Sequence, residues 1–349
     1  MPEGPAVSVK HQCSTPGESK RVSRLEALRE LFSLVCTKDR ALITIDPDPD
    51  SIAAALALKR LLWHRVQSTT IGMIRPMKRL NNLTMARLLK LPLISLTKNK
   101  LAEFDTFFLV DGQPHHNEFF KEIPYTAVID HHPRRNPGPE SAIKAPFVDI
   151  RPSYGATSTM FVEYLKAAKI KPSKTLATAL IYGIKTDTQN LERNTSEEDV
   201  KAFRYLYPLI YRSTLRKIEI SDLSFQDLKL FQRALEKRKR LRDRLFTHLD
   251  EVPNADILVI LADFLLKVHD ISWSIVSGIH QNALVIIVRN DGYRKDAGRM
   301  LRVAFGELGS AGGHKAAARA EIPLENLAHV MSKPTPANIE KLIRKRLSH

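Results

Sequence analysis

The sequence predicts an α/β protein in which an N-terminal domain built on a parallel sheet is joined by a long helix to a smaller α/β C-terminal domain, with a cleft between them. Three observations carry that prediction. Short β-branched or aromatic runs alternate with helical stretches, the pattern of a parallel sheet covered by helices. Each such run in the N-terminal half ends in a polar loop on its C-terminal side, the edge at which sites form in these sheets. The chain of 349 residues is long enough for two domains with their own cores.

Residues 1–37 read as an arm followed by a first helix. The arm is polar up to about Ser19, and Lys20 to Cys36 has helical spacing at Leu25, Leu28, Leu31, Phe32 and Val35. Residues 38–221 form the parallel-sheet domain. Ala41–Ile45 predicts a buried strand, followed by Asp46-Pro-Asp-Pro-Asp-Ser and a helix from Ser51 to about Arg65. Val66–Met73, Phe104–Val110 and Tyr125–Ile129 predict further strands, and helices are expected near 157–168 and 173–183. Residues 222–250, charged and with few apolar residues on the outer face, read as one connector helix. Residues 251–349 form the C-terminal domain, with strands expected at Ala255–Ala262 and Ala283–Val288 and a helix at Ile271–Ile279 between them.

Composition narrows the classes of function. A net charge of +16 favours polyanionic partners. Its densest runs, Glu236–Arg244 and the C-terminal KLIRKRLSH, also fit solvated helix faces, so charge alone supports an anionic substrate weakly. No apolar run approaches the roughly 20 residues needed to cross a bilayer, and the polar N-terminus lacks the apolar core of a secretory signal. Cys13 and Cys36 are the only cysteines, which argues against a disulfide framework and points to a reducing cytoplasm.

Four acidic loops carry the candidate chemistry. In Asp46-Pro47-Asp48-Pro49-Asp50, each proline holds the residue before it extended, so three carboxylates crowd one strand end. Like charges this close raise each other's pKa unless a cation neutralises them. A helix-capping turn would explain Asp50 but not Asp46 and Asp48. Asp111-Gly112 follows a second strand, where an ordinary turn is the simplest reading, and His115 and His116 read as loop or substrate-side residues. Asp130-His131-His132 is more specific, since a carboxylate can orient one imidazole while the other faces a ligand. Asp187 sits in a fourth loop, after a helix expected to end near Tyr182. Several carboxylates with one or two imidazoles and no thiolate suit Mn²⁺ or Mg²⁺.

The segments VIDHHP at 128–133, DPDPDS at 46–51, FLVDG at 108–112 and GIKTDT at 183–188 together resemble the four motifs of the DHH phosphoesterase superfamily. The strand VIIVRN at 285–290 and FGELGSAGGHKAAARA at 305–320 are similar to the DHH-associated C-terminal domain of nano-RNase-like and RecJ-type members. The resemblance runs from about Ala41 to Pro323. It implies metal ligation by Asp48, Asp50, Asp111, His131 and Asp187, with Asp46 as an extra oxygen donor and Asp111 bridging two ions. It implies that His132 faces the scissile phosphate with Asp130 in support, and that Arg289, Gly312, Gly313 and His314 hold the substrate. One position departs from the pattern: Thr44 stands where the first motif usually opens with His, which weakens the first of the two ions.

The function so implied is an Mn²⁺- or Mg²⁺-dependent phosphoesterase acting on a phosphodiester or phosphate in short single-stranded oligonucleotides or small nucleotides. A cyclic dinucleotide phosphodiesterase is an alternative. So is a nucleotide-binding or regulatory protein whose metal site is impaired at Thr44. No membrane partner is expected, and the sequence leaves a homodimer open.

Overall fold

The computed structural model describes residues 23–134, 143–292, 295–327, 329–331 and 333–348. The polar arm with Cys13, and Lys20, where the first helix was expected to start, lie outside these residues. The chain divides into two compact units, residues 1–77 with 85–215 and residues 78–84 with 216–349.

Helix α1 (Arg24–Ser33) starts at Ser23, whose hydroxyl accepts from the Glu26 N–H while the Glu26 carboxylate accepts from the Ser23 N–H. Strand β1 (Arg40–Ile45) leads into α2 (Pro49–Leu61), followed by β2 (Ser68–Met73), α3 (Leu80–Leu88), β3 (Leu93–Ser95), β4 (Thr106–Val110), the short α4 (Glu118–Lys121), β5 (Ala127–Asp130) and β6 (Phe147–Ile150). Four helices follow: α5 (Thr157–Ala167), α6 (Lys174–Asp187), α7 (Glu197–Leu206) and α8 (Arg212–Glu219). The six strands form one sheet in the order β3-β2-β1-β4-β5-β6, parallel throughout. Strand order therefore reverses between β1 and β4, and the carboxyl ends of the strands at such a switch point are where sites form in sheets of this kind. Asp46–Asp50 and Asp111 both lie at that edge.

Helix α2 is the buried centre of this unit. Ile52, Ala53, Ala54, Ala55, Ala57 and Leu58 are all fully buried, so the helix is enclosed rather than amphipathic. Its alanines let neighbouring elements approach closely, and α6 reaches it at Gly183, where a Cβ would lie 3.0 Å from the Asp50 Cα.

In the second unit, α9 (Asp227–Lys237) precedes β7 (Lys239–Leu241), β8 (Arg244–Glu251), α10 (Asp256–Leu265), β9 (Trp273–His280), β10 (Ala283–Asn290), α11 (Ala297–Phe305), β11 (Ser310–Gly313), β12 (Ala317–Pro323), α12 (Leu324–Leu327) and α13 (Pro336–Leu347). The strands form a mixed sheet in the order β11-β12-β10-β9-β8-β7, with only β8 and β9 parallel. Alternation along β10 separates two cores. Leu284, Ile286 and Val288 pack with Leu301, Phe305, Ile339 and Ile343, while Val285 and Ile287 pack with Leu258, Leu261 and Leu265.

Three expectations are corrected here. The connector helix over 222–250 is not one helix: α9 ends at Lys237, and residues 239–251 turn back on themselves as β7 and β8. Glu, Lys, Arg and Leu are good helix formers, so the run reads as helix. Pairing of β8 with β9 overrides that preference because it buries Leu245, Phe246 and Leu249. The strand expected at Ala255–Ala262 is helix α10, an apolar run too short for periodicity to settle, started by the Asn254 side chain accepting the Asp256 N–H at 2.9 Å. The helix expected at Ile271–Ile279 is β9, whose Trp273 and Ile275 face one core and Val276 the other. Strands β3, β6, β11 and β12 were not anticipated.

The strand assignment of residues 244–251 has a measurable consequence. Phe246→Ala should cost about 3–5 kcal/mol, against under ~0.5 kcal/mol for a side chain on an exposed connector helix. Denaturant unfolding followed by the fluorescence of Trp273, which shares its core, measures this; a loss below about 1 kcal/mol would contradict the strand.

Candidate metal centre

Local sequence sets the first loop. Asp48, extended, caps α2: its Oδ1 accepts from the Ser51 N–H at 2.8 Å, and Pro49 takes the first helical position, where no N–H is needed. The helix therefore begins two residues earlier than expected, and the capping acid is Asp48 rather than Asp50. Asp50, now inside the first turn and fully buried, does something else. Its two oxygens accept from the backbone N–H groups of Thr157 at 2.6 Å and Ser158 at 2.8 Å, the start of α5. Ala156 supplies no side-chain cap to that helix, so the carboxylate of another helix does so.

Asp111 follows β4 with φ of +58°, a left-handed conformation that Asp tolerates better than most residues. Its Oδ1 accepts from the Thr157 hydroxyl at 2.9 Å, and its Oδ2 is buried with no hydrogen-bond partner. His131, one residue past β5, is held by its Nδ1 at 3.1 Å from the Tyr154 carbonyl oxygen, which fixes Nδ1 as the donor. Its Nε2 then points among acids, 3.2 Å from Asp187 Oδ2 and 3.6 Å from Asp111 Oδ1. Asp187 is the last residue of α6, five residues beyond the expected helix end. One donor atom from each of Asp50, Asp111, His131 and Asp187 lies within 4.8 Å of the others.

His132 and Asp130 form a second layer. His132 Nδ1 bonds Asp130 Oδ1 at 2.8 Å, and Gln113 Nε2 donates to Asp130 Oδ2 at 2.7 Å and to the His132 carbonyl at 2.9 Å. Asp130 is fully buried whereas the His132 side chain is 44% exposed, so the ring is oriented from behind and open in front. His132 also lies near Asp111 and His131 as a further donor group.

The charges agree with this geometry. Burial and the neighbouring Asp187 push Asp48 up to about 6 and Asp50 up to about 7. Burial together with Asp50, Asp48 and Asp187 raises Asp111 well above the ordinary carboxylate value. Burial alone would lower His131, but Asp187 and Asp50 outweigh it and raise the ring to about 9. Burial would raise Asp130, yet hydrogen bonds from His132 and Gln113 hold it below the usual range. The bond to Asp130 raises His132.

Crowded, buried carboxylates with raised pKa values and an orphaned Asp111 oxygen are what a divalent cation would relieve, and the donor set fits Mn²⁺ or Mg²⁺. When bound, such a cation supplies Lewis-acid polarisation of a phosphoryl oxygen.

Not every expected residue joins the cluster. Thr44 is fully buried, its hydroxyl 3.1 Å from both the Phe108 carbonyl oxygen and the Tyr125 hydroxyl. Asp46 is ion-paired with Arg75. In the second unit, Arg289 Nε donates to Asp263 Oδ1 at 2.7 Å. Gly312 and Gly313 end β11, and the exposed His314 follows them. Their glycines serve packing as well as any ligand: Gly313 has φ of +147°, and a Cβ on Gly298 of α11 would lie 2.4 Å from the Gly313 carbonyl oxygen. The N–H groups of Ala297 and Gly298 donate to the carbonyls of Lys315 and His314. Sequence reasoning missed Thr157, Ser158, Gln113 and Tyr154. A helix start at Ala156 with no capping side chain of its own was the available signal for the first two.

Residues 40–184 match the family model for the N-terminal domain of the DHH family. An uncharacterized protein of Methanocaldococcus jannaschii is 33% identical over 306 residues, covering 87% of this chain and 62% of that protein, so the chain spans under two thirds of this relative's length. Among solved structures, an exopolyphosphatase-related protein from Bacteroides fragilis is similar with a TM-score of 0.72 at 16% identity, covering 95% of this chain and 98% of that one. RecJ from Thermus thermophilus, in complex with Mn²⁺, is similar with a TM-score of 0.52 at 15% identity, covering 93% of this chain and 55% of that one. These likenesses show the fold. Among the described residues no helix is long and apolar enough to cross a membrane.

The cluster can be tested through its packing and through its charge. At Gly183 a Cβ would sit 2.6 Å from Ser158 Oγ and 3.0 Å from Asp50 Oδ1. Gly183→Ala should therefore destabilise the protein by about 1–3 kcal/mol and weaken Mn²⁺ binding; unchanged melting and unchanged Mn²⁺ titration would contradict that packing. Charge gives a pH dependence. Asp48 and Asp50 carry folded-state pKa values raised from 3.8 to about 6 and 7, so they lower stability increasingly as pH climbs from about 4 to about 7. His131, raised from 6.5 to about 9, contributes stability that is complete below 6.5 and lost as pH rises to about 9. Both trends weaken the metal-free protein as pH rises, and ligation requires the same protons to leave. The rise in melting temperature on adding saturating Mn²⁺, followed by differential scanning fluorimetry, should accordingly be larger at about pH 8 than at about pH 5.5, and no rise at either pH would contradict a cation in the cluster.

Proposed function

The chain carries a DHH-family N-terminal domain over residues 40–184, and from that premise we propose that it is a divalent-metal-dependent phosphoesterase acting on short oligonucleotides or small nucleotides. The observation that carries the reading is the convergence of Asp50, Asp111, His131 and Asp187 within 4.8 Å at the sheet's switch point, with an unpartnered Asp111 oxygen among them. Mn²⁺ or Mg²⁺ is the expected cofactor, and Mn²⁺ the ion to test first, since the similar RecJ structure is a complex with it.

Each residue of the second layer has a chemical task in this reading. Asp130 accepts the His132 Nδ1 proton, so the other ring nitrogen is directed outward. A ring whose pKa is raised by that bond is protonated more of the time near neutrality. His132 can then hold a phosphoryl oxygen or deliver a proton to the leaving alcohol, becoming neutral as it does so. Gln113 keeps Asp130 and the His132 backbone in register. Arg289, Gly312, Gly313 and His314 are proposed to bind the remainder of the substrate, with Arg289 gripping a phosphate bidentately after release from Asp263. The net charge of +16 suits a polyanion.

A second reading is favoured by Thr44. With no imidazole at that position, the chain could bind nucleotides without turning them over. Release of mononucleotides from a short RNA in Mn²⁺ separates the two. Wild type should turn over, and Asp111→Asn and His131→Ala should lose at least about 100-fold. His132→Ala should lower kcat by about 10²–10⁴ while leaving Mn²⁺ affinity near that of wild type. No turnover by wild type would leave only the binding reading, and equal turnover by wild type and all three variants would exclude the cluster from the chemistry.

A further inference from the structure

The resemblance implies two ions, the first held by Asp48 and Asp111 with a nitrogen donor at position 44. In this chain that first position is short of donors. Thr44 offers no nitrogen, and its hydroxyl, fully buried, is taken up by the Phe108 carbonyl and the Tyr125 hydroxyl. Asp48 uses one oxygen to cap α2. Asp111, which would have to serve both ions, has Oδ1 bonded to the Thr157 hydroxyl and so has one unpartnered oxygen, Oδ2, in a residue 8% exposed. Neither donor group among the described residues contains Asp46 or Asp48.

A cation is nevertheless present at this strand end. Strands β1 and β2 run in parallel register up to Ile45 and Met73, and the Ile74 N–H donates to the Ile45 carbonyl at 3.1 Å. Arg75 and Asp46 therefore leave the sheet side by side, and Arg75 Nε donates to the Asp46 carboxylate. That bond fixes one edge of the guanidinium and leaves its two terminal nitrogens without a partner among the described residues. The side chain is 65% exposed, so a substrate can reach it. A planar guanidinium with two outward N–H₂ groups matches a phosphate's oxygens bidentately.

We infer that this chain binds one divalent ion tightly, among Asp50, Asp111, His131 and Asp187, and that Arg75 fixed on Asp46 replaces the other ion as the second positive partner of the substrate phosphate. The inference rests on the phosphoesterase reading, and the ion count separates the two. The full-length chain is dialysed against Mn²⁺, the bound metal is measured by elemental analysis, and the electron paramagnetic resonance spectrum is recorded. One ion per chain is expected, with the spectrum of an isolated Mn²⁺. Asp48→Asn should keep that ion, and Asp187→Asn should lose it at the same free Mn²⁺. Two ions with an exchange-coupled spectrum, one of them lost in Asp48→Asn, would overturn the inference and leave the phosphoesterase standing. No bound ion would overturn both. Inorganic phosphate then probes Arg75: binding to the Mn²⁺-loaded Arg75→Ala protein should weaken about tenfold or more, and unchanged affinity would exclude Arg75 from that role.

Discussion

The buried carboxylate of Asp50 is the constraint on which the first unit depends. A charge with no exposure to water persists only if its oxygens are bonded, and the two N–H groups at the start of α5 do that. The bond works in both directions, since α5 has no cap of its own. By pinning the start of α5, Asp50 also places the Thr157 hydroxyl on Asp111 and Ser158 against Gly183 of α6. Four elements are thereby tied together at the point where Asp111, His131 and Asp187 converge. The same carboxylate is one of the cluster's four donors, so architecture and chemistry share an atom group.

Sharing of this kind has a cost in stability. Burial and neighbouring acids raise Asp48, Asp50 and Asp111 above the ordinary carboxylate value, so their charge is costly in the metal-free protein. Active sites are often the least relaxed part of a fold. Here the surrounding structure compensates: α2 is enclosed by apolar contacts over almost its whole length, and His131 is fixed by the Tyr154 carbonyl independently of any ligand.

Much of the site was legible because its residues sit at strand ends, and strand ends are marked by short apolar runs followed by polar loops. Asp111 and Asp130-His131-His132 were expected at strand ends and lie there, just past β4 and at the end of β5, whereas their ligand roles came from the resemblance. Asp187 was identified as a residue but assigned to a loop, because helix α6 continues through Gly183, which reads as a stop. Within DPDPDS, Pro49 at the first helical position marks Asp48 as the cap of α2, a local signal that was read one step too late. The task of Asp50 was not legible, because it rests on the start of α5, more than one hundred residues away in sequence. The second unit was less readable for a different reason. Its apolar segments are short, and a run such as ADILVILA can be strand or helix until its neighbours are known. The charged run 236–244 was read from helix propensity, whereas pairing with β9 decides its structure.

Thr44 and Arg75 change how the centre is understood. Position 44 offers no nitrogen donor, and His131 is the imidazole within the four-donor cluster. The most direct measurement is anomalous diffraction at the manganese edge from crystals of the full chain soaked in Mn²⁺. A strong peak enclosed by Asp50, Asp111, His131 and Asp187 is the expected result. A map with no peak there, or with its strongest peak against Asp46 and Asp48, would contradict a single tight ion at that cluster.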